Sequence, residues 1–360
     1  MKNKDRGGDR ATVAAIGESP SGRDATTKTS VAAIDGKKPS RRGSKNKNST
    51  AEIKTKDGGE EQASVAVIDG KKTSGSGFEN THAIFLISFG EEAAESTLVE
   101  RCVLSLRRRG TWGGYIVVLT DAPPERYANE WDERVLVVHP LEEHMMSADG
   151  RPITYSRANR SLKCKRFKTY ILDYCDREKR LDSVEFVYYL DIDILAGNSI
   201  ENLFDGIQRK YISSKEQGRE LSKLYFFTPL SEEWPLQGGT FVVDRRSSGH
   251  CLDLWRAEMD QLVLSGRGRD QDALRTVYQR IEAGEESQCR LIRMDNEHFV
   301  TFPTSRQWDA DLYHDYNLIH ISNSVFAKRI DEEKQNELIH ELLQLSEEEK
   351  PKYGKVSIKA

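Results

Sequence analysis

The stretch "EFVYYLDIDILAG", residues 185–197, contains the most apolar run of the chain and places two carboxylates, Asp191 and Asp193, directly after it. An apolar run without polar alternation is typical of a strand buried on both faces of a sheet. On an extended chain, residues two apart face the same way, so we expect the carboxylates to converge and Ile192 and Ile194 to face away. Because ligands of open α/β sheets bind beyond the carboxyl ends of strands, this position predicts a functional site.

The flanking sequence alternates between strand and helix patterns. Apolar runs predict strands within residues 82–89, 114–123 and 134–141, and helical periodicity predicts helices within 91–110 and from about Ser161 to Asp176. Strands that are apolar on both faces and alternate with helices indicate an α/β fold with a mostly parallel central sheet flanked by helices.

The first 77 residues differ in composition from the remainder. They contain no Phe, Trp, Tyr, Cys or Leu, and they carry 16 Lys and Arg against 10 Asp and Glu. Such a segment buries too little apolar surface to offset its ordering entropy, so we predict a disordered basic N-terminal tail. It contains a repeat, "SVAAIDGKK" at 30–38 and "SVAVIDGKK" at 64–72. We interpret the repeat as a duplicated linker, with a short linear binding motif as the alternative.

The remaining 283 residues carry 38 basic and 48 acidic side chains and are enough for one substantial core. We divide them into one domain, residues 78–330, and a C-terminal amphipathic helix and tail, residues 331–360. The acidic domain and a tail without aromatic stacking platforms argue against a nucleic-acid partner.

The cysteine pattern and the N-terminus bear on the cellular compartment. The five cysteines form no C-x-x-C pair and are odd in number, which favours reduced thiols. The chain has no apolar run long enough to span a membrane, and "MKNKDRGGDR" at 1–10 lacks the apolar core of a secretion signal. These features predict a cytoplasmic protein, with the Golgi or secretory pathway as the alternative if the N-terminus is incomplete.

Two adjacent carboxylates repel each other unless a cation lies between them. Oxygen ligands suit Mg²⁺ or Mn²⁺, and an ion held by only two protein carboxylates keeps positions free for substrate phosphates. The alternatives are a pair that caps the next helix, or a phosphatase of the haloacid dehalogenase type, which the position of the motif on about the fourth strand argues against. A second D-x-D, Asp309 and Asp311, lacks a preceding apolar strand and is interpreted as a loop.

The order of these motifs resembles the nucleotide-sugar glycosyltransferases of the GT-A fold, and most closely glycosyltransferase family 8, the family of glycogenin. The resemblance covers about residues 82–325. It rests on the basic helix "SLKCKRFKTYIL", the strand "YYLDIDILAGNSIENLF", the block "LQGGTFVVD", the helix start "DQDAL" and a late His in "LIHIS". It implies a nucleotide-diphospho-sugar transferase fold.

The resemblance also implies a ligand set. Asp191 and Asp193 match the metal-binding pair of the family, and His320 matches its third ligand. A mixed oxygen and nitrogen site favours Mn²⁺, with Mg²⁺ as the alternative. Taken alone, His320 is more often a satisfied core histidine.

Further residues match positions that the family places near the sugar nucleotide. Lys165 and Lys168 lie three apart on the basic helix, where a cation offsets charge on the leaving diphosphate. A solvated basic face is the alternative for both lysines. Asp270 and Gln271 match an Asp-Gln pair near the anomeric carbon and the acceptor, and Asp270 is also a candidate N-cap of the helix.

A glycine pair and an early-strand aspartate complete the candidate site. Gly238 and Gly239 match a turn that donor and acceptor sugars approach closely, which glycine permits. Asp121 follows the second strand in the position of a nucleotide-facing residue.

The chain departs from the family at two places. In the late His-x-x-Gly-x-x-Lys motif, Asn323 stands at the glycine position and Phe326 at the lysine position, with Lys328 two residues late. Gln237 replaces the usual Asn before the glycine pair.

The resulting expectation is a metal-dependent retaining glycosyltransferase that moves a hexose from a UDP-sugar to a hydroxyl of a glycan, protein or small-molecule acceptor. Two alternatives stay open. One is a phospho- or nucleotidyltransferase that uses the same carboxylate pair, and the other is a catalytically silent glycosyltransferase-like binding module.

Overall fold

The computed structural model describes all the candidate site residues. The described residues are 77–90, 97–127, 131–146, 150–152, 164–212, 221–227, 236–266, 268–295, 299–302, 316–321 and 332–353. The predicted tail therefore lies outside them except for Gly77. The second D-x-D and the departures in the late motif, Asn323, Phe326 and Lys328, also lie outside them.

Strands and helices alternate along the described chain, as predicted. The strands are β1 His82–Ser88, β2 Tyr115–Thr120, β3 Val135–Val138, β4 Phe186–Leu190, β5 Ile194–Ala196, β6 Ser222–Phe227, β7 Thr240–Asp244, β8 Cys289–Met294, β9 Phe299–Phe302 and β10 Leu318–Ile321. The α-helices are α1 Phe78–Thr81, α2 Leu98–Arg108, α3 Ile171–Arg177, α4 Ile200–Ile207, α5 Gly249–Ser265, α6 Asp270–Glu282, α7 Glu332–Leu343 and α8 Lys350–Tyr353.

Seven strands form the central sheet, in the order β3-β2-β1-β4-β7-β6-β8. All neighbouring pairs are parallel except the two that involve β7, which runs against β4 and β6. Three further strands form a small sheet in the order β5-β10-β9. The predicted α/β class with a mostly parallel central sheet is confirmed.

The central sheet is buried on both faces because its strands carry apolar residues at successive positions. In β1, Phe85 packs into one hydrophobic cluster, with the helix that contains Ile171 and with α5 and α6. Its neighbour Leu86 packs into the other cluster, with α2 and α4. Alternate side chains of one strand thus serve two cores, and helices flank both faces.

The D-x-D motif lies in a turn and not on the strand itself. Strand β4 ends at Leu190, and the chain turns through Ile192 and Asp193 before β5 begins at Ile194 in the small sheet. The turn is closed by a hydrogen bond from the Ile194 amide to the Asp191 carbonyl, 3.0 Å. The prediction of an extended chain through both carboxylates is therefore wrong, because the chain leaves one sheet and enters another here. Ile194 is buried in the core, as predicted, whereas Ile192 is only partly buried and lies beside Asp193 in the wall of a cleft.

The predicted amphipathic C-terminal helix is present as α7, and its apolar side is buried against the small sheet. It packs on Leu195 and Ile319. The buried residues of α7 are Leu338, Ile339, Leu342 and Leu343.

Two of the five cysteines form a disulfide, which contradicts the prediction of reduced thiols for this pair. Cys251 in the first turn of α5 lies beside Cys289 at the start of β8, with 5.2 Å between their Cα atoms. They are 38 residues apart in sequence, so only the packing of α5 against the sheet brings them together. The remaining cysteines, Cys102, Cys164 and Cys175, are buried thiols.

Within the described ranges, no helix offers an apolar stretch long enough to cross a membrane.

Candidate active site

The glycine pair reaches the carboxyl end of β4 because β7 is antiparallel to β4. In that pairing Leu190, the last residue of β4, lies opposite Thr240, the first residue of β7. The turn before β7 therefore arrives beside the D-x-D turn, and the Asp191 amide donates to the Gly239 carbonyl at 2.8 Å. The antiparallel strand thus joins two motifs that are almost 50 residues apart.

A fully buried lysine lies under this junction. Lys168 has no exposed side-chain surface, and its Nζ donates to the Gly238 carbonyl at 2.7 Å. The same nitrogen lies 3.1 Å from Asp270 Oδ2 and 3.1 Å from Asp191 Oδ1. Three acceptors match the three protons of an ammonium group, so Lys168 is satisfied without water. The alternative of a solvated basic face is wrong for Lys168.

Lys165 binds the same two carboxylates from the outer side. Its Nζ lies 3.5 Å from Asp270 Oδ2 and 3.9 Å from Asp191 Oδ2, and its side chain is 37% exposed. The segment Arg166–Tyr170 is a 3₁₀ turn that leads into α3. Lys165 is the residue just before this segment, and residues three apart on a helical backbone lie on one side, which explains why both lysines point to one place.

We call Lys165, Lys168, Asp191 and Asp270 the lysine–carboxylate cluster. Burial alone would raise the pKa of Asp191, but Lys168, Lys165 and a hydrogen bond from the Tyr189 hydroxyl, 2.6 Å, hold it at about 2. Burial likewise opposes ionisation of Asp270, and the two lysines still lower its pKa. The pKa of Lys165 is raised, chiefly by Asp191. All these shifts favour the charged forms, so the cluster is two cations and two anions of zero net charge.

Asp193 and His320 meet on the other side of the D-x-D turn. His320 lies on β10 opposite Ile194 of β5, and the Ile321 amide donates to the Asp193 carbonyl at 2.8 Å. This register brings His320 Nε2 to 3.3 Å from Asp193 Oδ2. Burial alone would lower the pKa of His320, but Asp193 and Asp191 raise it above its ordinary value. His320 is therefore tied to the D-x-D motif rather than being a histidine of the apolar core.

The two aspartates thus have different partners. Asp191 faces the lysines, whereas Asp193 faces His320. Within the described ranges, no group of three His, Cys, Asp or Glu side chains stands close enough to enclose a metal ion. The donor chemistry of two carboxylates and an imidazole fits Mn²⁺ or Mg²⁺, and Asp193 and His320 already share one locus. The remaining predicted ligand, Asp191, is directed to the ammonium groups of Lys165 and Lys168.

A small open cleft lies beside Asp193. Its walls come from α2, the D-x-D turn, the small sheet and α7. They are mostly apolar, and the lining residues are Leu98, Arg101, Ile192, Asp193, Leu195, Ile321 and Ile339.

The start of α6 holds the glycine turn in place. The helix begins at Asp270, so the prediction that Asp270 is its N-cap is wrong, and Arg269 occupies that position. Asp270 is the first helical residue, and its carboxylate turns inward to Lys168. Oriented to satisfy both of its ends, the Gln271 amide donates to the Leu236 carbonyl at 3.2 Å and accepts from the Gly238 amide at 2.7 Å.

The two glycines fill positions that leave little room for a side chain. A Cβ at Gly239 would lie 2.7 Å from Asp191 Oδ2, which is closer than real contacts permit. A Cβ at Gly238 would lie 3.3 Å from the Trp255 ring, a tight contact. The close approach that the sequence predicted is therefore made here by Asp191.

Asp121 lies at the carboxyl end of β2, two strands from β4. Its Oδ1 accepts a hydrogen bond from the Gly90 amide, 2.5 Å, in the segment after β1. The structure thus gives Asp121 a backbone partner in the neighbouring loop, at the same edge of the sheet as the D-x-D motif.

Two residues of the site were not anticipated. Tyr189 is two residues before Asp191 in a strand, and period-two alternation could have placed both on one face. Gln237 Nε2 lies 3.1 Å from His320 Nδ1. No sequence pattern indicated that contact, because the two residues are 83 apart, with Gln237 in the turn before β7 and His320 in the small sheet.

No protein-family model matches the chain, and no curated protein sequence does. The solved structures that are similar to it include two glycosyltransferases. A glycosyltransferase involved in the glycosylation of the major capsid of PBCV-1 is 12% identical, covers 74% of this chain and all of its own, and has a TM-score of 0.40. The galactosyltransferase LgtC, in complex with donor and acceptor sugar analogs, is 14% identical, covers 75% of this chain and 99% of its own, and has a TM-score of 0.45.

Proposed function

We propose that the chain is a metal-dependent retaining glycosyltransferase of the GT-A type, similar to family 8, that moves a hexose from a UDP-sugar to an acceptor hydroxyl. One observation carries the proposal. The lysine–carboxylate cluster, the glycine turn and the Asp193–His320 pair converge at the carboxyl end of β4, where open α/β sheets bind ligands.

Lys165 is the residue best placed to bind the diphosphate of the donor. Its ammonium group is partly exposed, whereas Lys168 is buried behind it and occupied by three acceptors. An ammonium group at this rim stabilises negative charge as the sugar–phosphate bond breaks. Lys168 instead holds Asp191, Asp270 and the glycine turn in position.

Asp193 and His320 would hold the divalent ion, and Asp191 would join them by turning its Oδ2, 3.9 Å from Lys165 Nζ, from that lysine to the ion. When bound, Mn²⁺ or Mg²⁺ supplies a Lewis acid for the diphosphate oxygens. Burial and the hydrogen bond to Asp193 orient the His320 ring towards the proposed metal site.

We propose that retention arises by same-face attack and not through a covalent intermediate on Asp270. Its carboxylate is paired with both lysines and is therefore a weak nucleophile. We expect the acceptor hydroxyl to attack the sugar from the same face from which the diphosphate leaves. Gln271 supports this geometry by holding the Gly238 backbone, where the sugar and acceptor would approach.

The test is release of UDP from a donor panel. The full chain is incubated with UDP-glucose, UDP-galactose or nucleoside triphosphates, with and without Mn²⁺. We expect UDP release from one UDP-sugar that requires Mn²⁺ and falls to background in Asp193→Ala. Asp182→Ala, an exposed aspartate on the turn before β4, is the matched control and should keep the activity of the wild type.

The other outcomes separate the alternatives. Pyrophosphate release from nucleoside triphosphates would favour a nucleotidyltransferase. Thermal stabilisation by UDP and Mn²⁺ without release from any donor would favour a binding module. Unchanged turnover in Asp193→Ala would contradict the metal assignment.

A further inference from the structure

Gln237 lies where the glycine turn meets the small sheet. Its backbone carbonyl accepts a hydrogen bond from the Thr240 amide, 3.4 Å, so the turn fixes where its side chain starts. The side-chain Nε2 lies 3.1 Å from His320 Nδ1, and the opposite ring nitrogen faces Asp193. Gln237, His320 and Asp193 therefore form a continuous line of hydrogen-bonding groups.

The two ring nitrogens of His320 impose a requirement on Gln237. A carboxylate only accepts hydrogen bonds, so with Asp193 as partner Nε2 carries a proton, and a neutral ring then accepts from Gln237 at Nδ1. A ring whose Nε2 lone pair binds a metal must carry its proton on Nδ1, which then needs an acceptor. Of the two ends of the amide, only Oε1 can serve as that acceptor.

Gln237 can meet both requirements without moving its backbone. An amide presents a donor and an acceptor at nearly the same position, and a half-turn of the side-chain amide exchanges them. In the orientation of the structure, Oε1 is buried and has no hydrogen-bond partner within the described ranges. After the half-turn, this oxygen can accept a hydrogen bond from the Nδ1–H group of His320. A carboxylate or an apolar side chain could not serve both states.

We propose that Gln237 is a positioning residue that sets the tautomer of His320. Without metal, its amide NH₂ donates to Nδ1 while Nε2–H donates to Asp193. With a metal ion on Nε2, the Nε2 proton would leave to solvent, Nδ1 would take one up, and the side-chain carbonyl of Gln237 would accept a hydrogen bond from Nδ1–H. Because His320 is a metal ligand only in the proposed function, this role of Gln237 rests on it.

The direct test is the tautomer of His320, which does not depend on activity. Two-bond ¹H–¹⁵N spectra of the histidine-labelled full chain, with His320 assigned by His320→Ala, are recorded without metal and with Zn²⁺ as a diamagnetic probe. We expect the wild type to change from the Nε2–H to the Nδ1–H form on Zn²⁺ addition.

Variants at position 237 test how the hydrogen bond to His320 affects the metal-binding constant. Gln237→Met removes both hydrogen-bonding ends at similar length and should weaken Zn²⁺ and Mn²⁺ binding about ten- to a hundredfold, as loss of a ligand's hydrogen-bond partner generally does. Gln237→Glu keeps an acceptor and should retain the Nδ1–H form with metal. Gln261→Met, at an exposed position of α5, is the matched control and should bind metal like the wild type.

The outcomes distinguish the role of Gln237 from the proposed function. If Asp193→Ala abolishes metal binding but Gln237→Met binds within twofold of the wild type, the role of Gln237 is overturned and the metal site stands. If neither Asp193→Ala nor His320→Ala affects binding, the metal site is overturned and the role of Gln237 with it.

Discussion

Two groups of charged residues hold distant parts of the chain together, and they differ in burial. The lysine–carboxylate cluster joins the 3₁₀ turn, the D-x-D turn and α6, and Lys168 at its centre has no exposed surface. The second group pairs Arg108 at the end of α2 with Glu349 just before α8, with side chains 29% and 31% exposed.

The difference concerns what surrounds the charges. A buried ion must be fully paired, since an unpaired charge in the interior costs several kcal/mol. An ion pair at the surface exchanges water for a partner at little net gain. The Arg108–Glu349 pair is also well formed, with contacts of 2.5 and 3.0 Å. Contact geometry alone therefore does not tell which group stabilises the fold more. We expect the more deeply buried group to contribute more to the free energy of unfolding.

The largest effect is expected from Lys168→Met. It removes the cation that Asp191 and Asp270 share in the interior and should lower the free energy of unfolding by about 3–5 kcal/mol. Chemical denaturation measures it. Lys165→Met, at the outer side of the same cluster, is the matched control and should cost about 1 kcal/mol, because its position is open to water.

Equal losses for the two lysine variants would contradict the ranking by burial. A loss of stability in Lys168→Met that is reversed by adding Asp191→Asn would support the ranking further, because the second substitution removes the charge that the first leaves unpaired.

A smaller loss is expected from Gly239→Ala. The added Cβ would meet Asp191 Oδ2 at 2.7 Å and must displace that carboxylate from the lysines, at a cost of about 1–3 kcal/mol. Thermal unfolding measures this loss. Gly206→Ala is the control, because nothing lies within 4 Å of a Cβ there and alanine favours the α4 helix. A stability of Gly239→Ala equal to that of the wild type would show that the cluster tolerates a shift of Asp191.

The smallest effect is expected from Glu349→Gln, at most about 1 kcal/mol, and less at high salt. Its pH dependence is specific. The hydrogen bond from Arg108 holds the pKa of Glu349 at about 2, below its ordinary value of 4.5. The contribution is therefore full above pH 4.5 and is lost as the pH falls towards 2. A difference between variant and wild type that does not shrink over this window would contradict the assignment.

Much of the fold could be predicted because it depends on local pattern. The apolar runs marked β1 to β4, and the spacing of Leu338, Ile339, Leu342 and Leu343 marked the buried side of α7. The three-residue spacing of Lys165 and Lys168 also indicated a shared side. The end of β4 at Leu190 was missed, because an apolar run does not record where a chain leaves one sheet for another.

The sequence alone determined which chemical groups this protein brings to the rim of its sheet: two carboxylates after a buried strand, two lysines, a glycine pair and a late histidine. Tertiary structure decided their partners. The antiparallel β7 delivers the glycine turn to Asp191, and the small sheet delivers His320 to Asp193. The tertiary structure also pairs Cys251 with Cys289 and places Gln237 against His320. Sequence patterns report local periodicity, whereas these contacts depend on strand order and register between residues far apart in the chain.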